Sequence, residues 1–94
     1  MNQRITQVIR IIHEKMRGNH IMWVLVGSTN LQLQGMHVAP RDLDIVIQHK
    51  DLEKVRELFS EYSPSDVQEL KTLSGERAWD VHTTIKGIEC QFFG

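Results

Sequence analysis

Two carboxylates lie two residues apart near the middle of the chain, at the start of an apolar run. Asp42 and Asp44 belong to the segment Asp-Leu-Asp-Ile-Val-Ile, which is typical of a largely buried strand. Residues two apart on a strand share a face, so Leu43 and Ile45 are expected to face the core. At about 6–7 Å the two charges repel by about 2–3 kcal/mol at an effective dielectric near 20. A divalent cation would relieve this repulsion, and Mg²⁺ prefers carboxylate oxygens.

A glycine-serine pair precedes these carboxylates and offers a phosphate-binding turn. The apolar run from Ile21 to Val26 predicts a buried strand that ends at Gly27. Gly27 allows a ligand to approach the backbone, and Ser28 offers a hydroxyl beside backbone N–H groups at the start of a helix predicted over about residues 29–36. Taken alone, Gly27-Ser28 is also compatible with an ordinary turn, and the carboxylate pair with a solvated edge.

Apolar spacing predicts the remaining elements that would position these groups. Three- and four-residue spacing predicts a helix over residues 3–17 that ends at Gly18, and a second helix over 51–61 with Asp51 as its cap. Residues 67–73 are ambiguous between strand and helix, and we favour a strand. These elements predict an α+β domain with a mixed, mostly antiparallel sheet and helices packed mainly on one face.

The C-terminal segment predicts a hairpin whose two-residue loop fixes its register. Strands over 78–85 and 88–93 flank Lys86-Gly87, with glycine where a positive φ is wanted. This register places Glu89 opposite Thr84 and His82 opposite Gln91, on the polar face of the sheet. Asp80 is expected on the same face, as a surface residue.

The order of these motifs resembles a known superfamily. Gly27-Ser28 on one apolar strand, followed after thirteen residues by Asp-Leu-Asp on another, is similar to the nucleotidyltransferases that include DNA polymerase β, CCA-adding enzymes and antibiotic adenylyltransferases. The sequence Arg-Asp-Leu-Asp at residues 41–44 resembles archaeal CCA-adding and lincosamide-modifying members in particular. That family carries a third carboxylate between apolar residues on a later strand. Glu89, between Ile88 and Cys90, matches it, and Asp80 is the rival candidate.

This resemblance implies a single minimal nucleotidyltransferase domain over residues 1–94. It implies Mg²⁺- or Mn²⁺-dependent transfer of a nucleoside monophosphate from an NTP such as ATP, with pyrophosphate released. Asp42, Asp44 and Glu89 would be the catalytic metal ligands, and Gly27 and Ser28 would bind the nucleotide phosphates.

The resemblance also implies an alternative role in a two-component system. Minimal members of the superfamily are commonly encoded beside a small helical HEPN protein, as toxin and antitoxin. The alternative is therefore a partner-binding subunit, either non-catalytic or modifying that partner. A homodimer is a further possibility for a domain this small.

The amino-acid composition limits the kinds of partner that the chain is expected to bind. The 94 residues carry 11 Lys and Arg against 12 Asp and Glu, so charge does not indicate nucleic-acid binding. The single cysteine excludes an intrachain disulfide, and no apolar run is long enough to span a membrane. We expect a cytoplasmic protein. The acceptor and the base preference are left open.

Overall fold

The computed structural model describes residues 3–26, 42–71 and 75–94. These ranges contain two α-helices and five strands: α1 (Gln3–Arg17), β1 (Trp23–Val26), β2 (Asp42–Ile47), α2 (Leu52–Leu58), β3 (Gln68–Lys71), β4 (Arg77–Ile85) and β5 (Ile88–Phe93). Short 3-10 turns, His49–Asp51 and Ser60–Tyr62, lie on either side of α2. The predicted helix over residues 29–36 and the Gly27-Ser28 turn lie outside the described residues.

Helix α1 has the bounds that its apolar spacing predicts. One face of the helix is fully buried, through Ile5, Val8, Ile12 and Met16. Lys15 and Arg17 lie in the last turn, where positive charge stabilises the negative end of the helix dipole. The Gly18 N–H then donates to the Glu14 carbonyl at 3.3 Å and closes the helix.

The five strands form one mixed sheet in the order β1-β2-β5-β4-β3. β2 and β5 are parallel, whereas the β1–β2, β4–β5 and β3–β4 pairs are antiparallel. The prediction of a mixed, mostly antiparallel sheet is confirmed. The parallel pair joins two segments that are distant in sequence, because β2 begins at Asp42 and β5 begins at Ile88.

The β4–β5 hairpin has the predicted register. Its pairs run from Asp80 opposite Phe93 to Ile85 opposite Ile88. The loop residues Lys86 and Gly87 both have positive φ, 51° and 80°, which is the type I′ geometry that matches the twist of the flanking strands. The predicted pairing of Glu89 with Thr84 is therefore confirmed.

Alternation along the strands gives the sheet two different faces. The core face carries buried side chains of β2, β4 and β5, which form one cluster with the apolar sides of α1 and α2: Leu43, Ile45, Ile47, Val81, Ile85, Ile88, Cys90 and Phe92. The polar face carries the alternate side chains: Asp42, Asp44, Asp80, His82, Thr84, Glu89 and Gln91. The helices thus pack on one side of an α+β fold, as predicted.

The second predicted helix is shorter than residues 51–61. The α-helical part is Leu52–Leu58, and Asp51 makes no side-chain capping hydrogen bond. A capping residue normally has extended backbone, but Asp51 has helical angles (φ −96°, ψ −2°) because it closes the preceding 3-10 turn. Of the strand favoured over 67–73, the part Gln68–Lys71 is confirmed, and residues 72 and 73 lie outside the described residues. Neither described helix is long and apolar enough to cross a membrane.

Candidate active site

Strand β2 presents Asp42 and Asp44 on the polar face. Leu43 and Ile45, on either side of Asp44, are fully buried, so the alternation of the strand is fixed by the core. Asp42 is exposed and Asp44 is half-buried. Burial, and then the neighbouring Asp42 charge, raise the pKa of the Asp44 carboxyl above its ordinary value. Both causes disfavour the ionised carboxylate, and the repulsion from Asp42 is the part that a bound cation would relieve.

The parallel β2–β5 pairing brings Glu89 beside Asp42. The two residues are direct register partners, and neighbouring strands lie about 4.8 Å apart. On the other side of Glu89, the hairpin places Thr84 as its partner in β4. Asp42, Glu89 and Thr84 therefore form one row across three strands, which we call the first row.

A second row lies next to the first along the strands. Asp44 is the register partner of Gln91, and Gln91 is the partner of His82. His82 and Gln91 occupy the face that hairpin register predicts for them, although the sequence predicted no role for either residue. Hairpin register was the available signal, and the non-local pairing of β2 with β5 is what adds Asp44 to the row.

Asp80 is buried, so the prediction of a surface residue is wrong. It retains only 4 % of its accessible surface although it lies on the polar face. The Gln91 side chain reaches it and donates from Nε2 to Asp80 Oδ2 at 3.0 Å. The Asp80 register partner is Phe93, two residues beyond Gln91. Glu89 and Asp80, the two candidates for the third carboxylate, therefore differ in position: Glu89 lies beside Asp42 and Asp80 does not.

A cleft of about 340 Å³ follows the polar face along the β4–β5 hairpin. Its volume is at the lower end of the range for small-molecule sites, about 300–1,000 Å³. Among the described residues, three carboxylates from different segments and one imidazole line it, and no Lys or Arg side chain does: Asp42, Asp80, His82, Thr83, Thr84, Glu89, Cys90 and Gln91. The described lining is therefore rich in hydrogen-bond acceptors and negative charge.

The donor chemistry of the first row suits a cation that also binds a phosphate ligand. Among residues 3–26, 42–71 and 75–94, no three His, Cys, Asp or Glu side chains are arranged as a metal-binding group. Mg²⁺ is usually held by one or two carboxylates, waters and substrate phosphates rather than by a closed protein cage. The adjacent Asp42 and Glu89 carboxylates fit that mode. Cys90 does not contribute, because burial raises the pKa of its thiol to about 12.

The predicted phosphate turn is reached by the chain directly after β1. Val26, the last residue of β1, is the register partner of Asp44. Gly27 and Ser28 follow it in sequence and lie outside the described residues. Their assignment to phosphate binding stays a prediction.

Comparison with known proteins identifies the fold. No family model and no curated protein matches the chain. The crystal structure of a putative nucleotidyltransferase from Thermotoga maritima matches it over its whole length, with a TM-score of 0.83 and 26 % sequence identity. The chain covers 58 % of that protein. The chain therefore has a nucleotidyltransferase-type fold.

Proposed function

We propose that this protein transfers a nucleoside monophosphate from an NTP to the hydroxyl group of an acceptor and releases pyrophosphate. The observation that carries the proposal is the direct pairing of Asp42 with Glu89 across parallel strands, with Asp44 in the adjacent row. This places three carboxylates from two distant segments on one polar face of a nucleotidyltransferase-type fold. Like charges are not gathered in this way for stability, since their repulsion raises the free energy of the fold.

The proposed roles follow from the position of each side chain. Asp42, Asp44 and Glu89 would hold Mg²⁺ or Mn²⁺, which would neutralise charge on the phosphates and favour ionisation of the attacking hydroxyl. Glu89 would accept the proton of that hydroxyl. A bond then forms between the hydroxyl oxygen and the α-phosphorus, and the bond from the α-phosphorus to the oxygen bridging to the β-phosphorus breaks. Gly27 and Ser28 would bind the β- and γ-phosphates of the leaving pyrophosphate.

The test is calorimetric titration of ATP in the presence of Mg²⁺. We expect the wild type to bind, and the Asp42→Ala/Asp44→Ala variant to bind at least about tenfold more weakly, because it loses two metal-binding carboxylates. The matched control is Glu53→Ala/Glu57→Ala, which removes two exposed negative charges from α2. Equal binding by the wild type and the Asp42/Asp44 variant would contradict the enzyme proposal and leave the partner-binding subunit as the candidate role.

A further inference from the structure

The buried Asp80 carboxylate is incompletely satisfied. Oδ2 accepts a hydrogen bond from Gln91, but Oδ1 is buried and has no hydrogen-bond partner among residues 3–26, 42–71 and 75–94. Burying a carboxylate without full hydrogen bonding costs free energy. A buried, partly unsatisfied carboxylate in a cleft is therefore a candidate for a functional role. His82 approaches the other oxygen of the same carboxylate, with its Nδ1 3.7 Å from Asp80 Oδ2.

Two hydrogen bonds fix the backbone of His82, whereas its imidazole ring is exposed and accessible to a ligand. Ser65 holds it on the side away from β5: the His82 N–H donates to Ser65 Oγ at 3.0 Å, and the Ser65 N–H donates to the His82 carbonyl at 2.9 Å. The side chain retains 58 % of its accessible surface. With Nδ1 turned to Asp80, the opposite ring nitrogen, Nε2, is directed away from that carboxylate.

His82 and the first row share the same cleft. His82 lies opposite Gln91, and Gln91 is two residues from Glu89 on β5, so His82 and Glu89 are diagonal neighbours. Diagonal neighbours on one face lie about 7–8 Å apart, a distance that one small ligand group can bridge. A hydroxyl group bound at Glu89 would therefore belong to a molecule within reach of His82.

We propose that His82 contacts the acceptor substrate, and that Asp80 is the positioning residue that keeps the proton on Nδ1 and leaves Nε2 to accept a hydrogen bond. The inference rests on the proposed function and adds the class of acceptor. Three carboxylates and no Lys or Arg among the described cleft residues disfavour an anionic acceptor. A neutral molecule with several hydroxyl groups would donate a hydrogen bond to Nε2 with one hydroxyl and attack the α-phosphorus with another.

The 3.7 Å separation between Nδ1 and Asp80 Oδ2 is longer than a hydrogen bond. Contacts of this kind are often long before substrate binds and shorten in the complex. A hydrogen bond donated to Nε2 polarises the ring and makes Nδ1–H a stronger donor, so acceptor binding and shortening of the Asp80 contact are expected to occur together.

The first experiment reads the tautomer of the neutral His82 ring by ¹⁵N NMR. We expect the Nδ1–H form for His82 in the wild type and its loss in Asp80→Asn, where an amide replaces the carboxylate. His49, an exposed histidine outside the cleft, is the internal control and should not change. A wild-type His82 in the Nε2–H form, or the same tautomer in both proteins, would overturn the positioning role.

The second experiment uses glycerol as a hydroxyl probe, titrated with Mg²⁺ and a non-hydrolysable ATP analogue present. We expect glycerol to shift the His82 Nε2 resonance and to bind about three- to tenfold more weakly to His82→Ala, the range for one hydrogen bond. His82→Gln restores a carbonyl acceptor and should recover part of the affinity, while His49→Ala should match the wild type.

The outcomes separate this inference from the proposed function. Equal glycerol affinity in the wild type and His82→Ala, or no glycerol binding to the wild type, would overturn the acceptor contact. Unchanged binding of the ATP analogue to His82→Ala is expected, since His82 is assigned to the acceptor. Failure of ATP to bind the wild type would instead refute the proposed function, and the tautomer measurement would still decide whether Asp80 positions His82.

Discussion

The two faces of the sheet differ in what fixes each residue. On the core face, burial selects residue type: Leu43, Ile45 and Phe92 are fully enclosed by apolar neighbours. On the polar face, pairing register selects position, since Asp42, Glu89 and Thr84 are brought into one row by two different strand pairs. The core face thus provides most of the stability, and the polar face provides convergent polar groups. Asp80 departs from this division, because it is on the polar face and yet buried.

The largest expected effect separates two side chains of β5. Phe92 is fully buried, with its ring centre 5.1 Å from that of Phe59, so Phe92→Ala should lower the free energy of unfolding by about 3–5 kcal/mol. Glu89→Ala, on the exposed side of the same strand, should change it by less than about 0.5 kcal/mol. Urea denaturation measures both. Comparable losses in the two variants would contradict the division between the faces.

Cys90 tests the core face through reactivity. With a thiol pKa of about 12, against an ordinary value of 9.0, the thiolate fraction at pH 8 is about a thousandfold lower than for a free cysteine. Alkylation by iodoacetamide should be correspondingly slow in the folded protein and fast in urea. The matched variant Glu89→Cys/Cys90→Ala moves the thiol by one residue to the exposed face and should react rapidly without denaturant. Fast reaction of Cys90 in the folded wild type would show that the core face is accessible to solvent at this position.

Gln91 tests whether the polar face also contributes to stability. Gln91→Ala removes the donor to Asp80 Oδ2, which leaves a buried carboxylate without that hydrogen bond. We expect a loss of about 1–3 kcal/mol in the free energy of unfolding. In an Asp80→Ala background the same substitution should cost clearly less, because the buried acceptor is gone. Equal costs in the two backgrounds, measured as a double-mutant cycle, would show that the Gln91–Asp80 contact does not stabilise the fold.

The smallest expected effect concerns the charge of Asp44. Its folded pKa is raised, so its contribution to stability is present below the unfolded pKa of about 3.9 and is lost as pH rises through the folded value. Asp44→Asn should therefore be more stable than the wild type at pH 7, and this difference should disappear near pH 3. Urea denaturation across this range, with EDTA present, measures it. The difference should shrink in an Asp42→Asn background, and a difference independent of pH would contradict the electrostatic cause.

The features predicted correctly from the sequence are those with local causes. Three- and four-residue apolar spacing gives the bounds of α1, and the two-residue loop at Lys86-Gly87 fixes the hairpin register. The capping role of Asp51 failed because the preceding 3-10 turn imposes helical angles on it. The Gly27-Ser28 phosphate turn stays a prediction.

The features that the sequence could not provide are non-local. Alternation shows which face Asp80 occupies but not that the Gln91 side chain reaches across to it. Parallel pairing of β2 with β5 has no short connection to mark it, so the neighbourhood of Asp42 and Glu89 could be inferred only from a resemblance. The residues of the first row were named from the sequence, whereas their arrangement required the fold.

The parallel β2–β5 pair also couples the proposed site to the folding of the whole domain. One antiparallel unit pairs β1 with β2 and another pairs β4 with β5, and each can form through contacts within its own segment. Asp42 and Glu89 belong to different units and meet only when these two units join. Contacts between distant segments form late and raise the contact order. Amide hydrogen exchange at the β2–β5 junction should therefore report directly on the fraction of molecules in which the site exists.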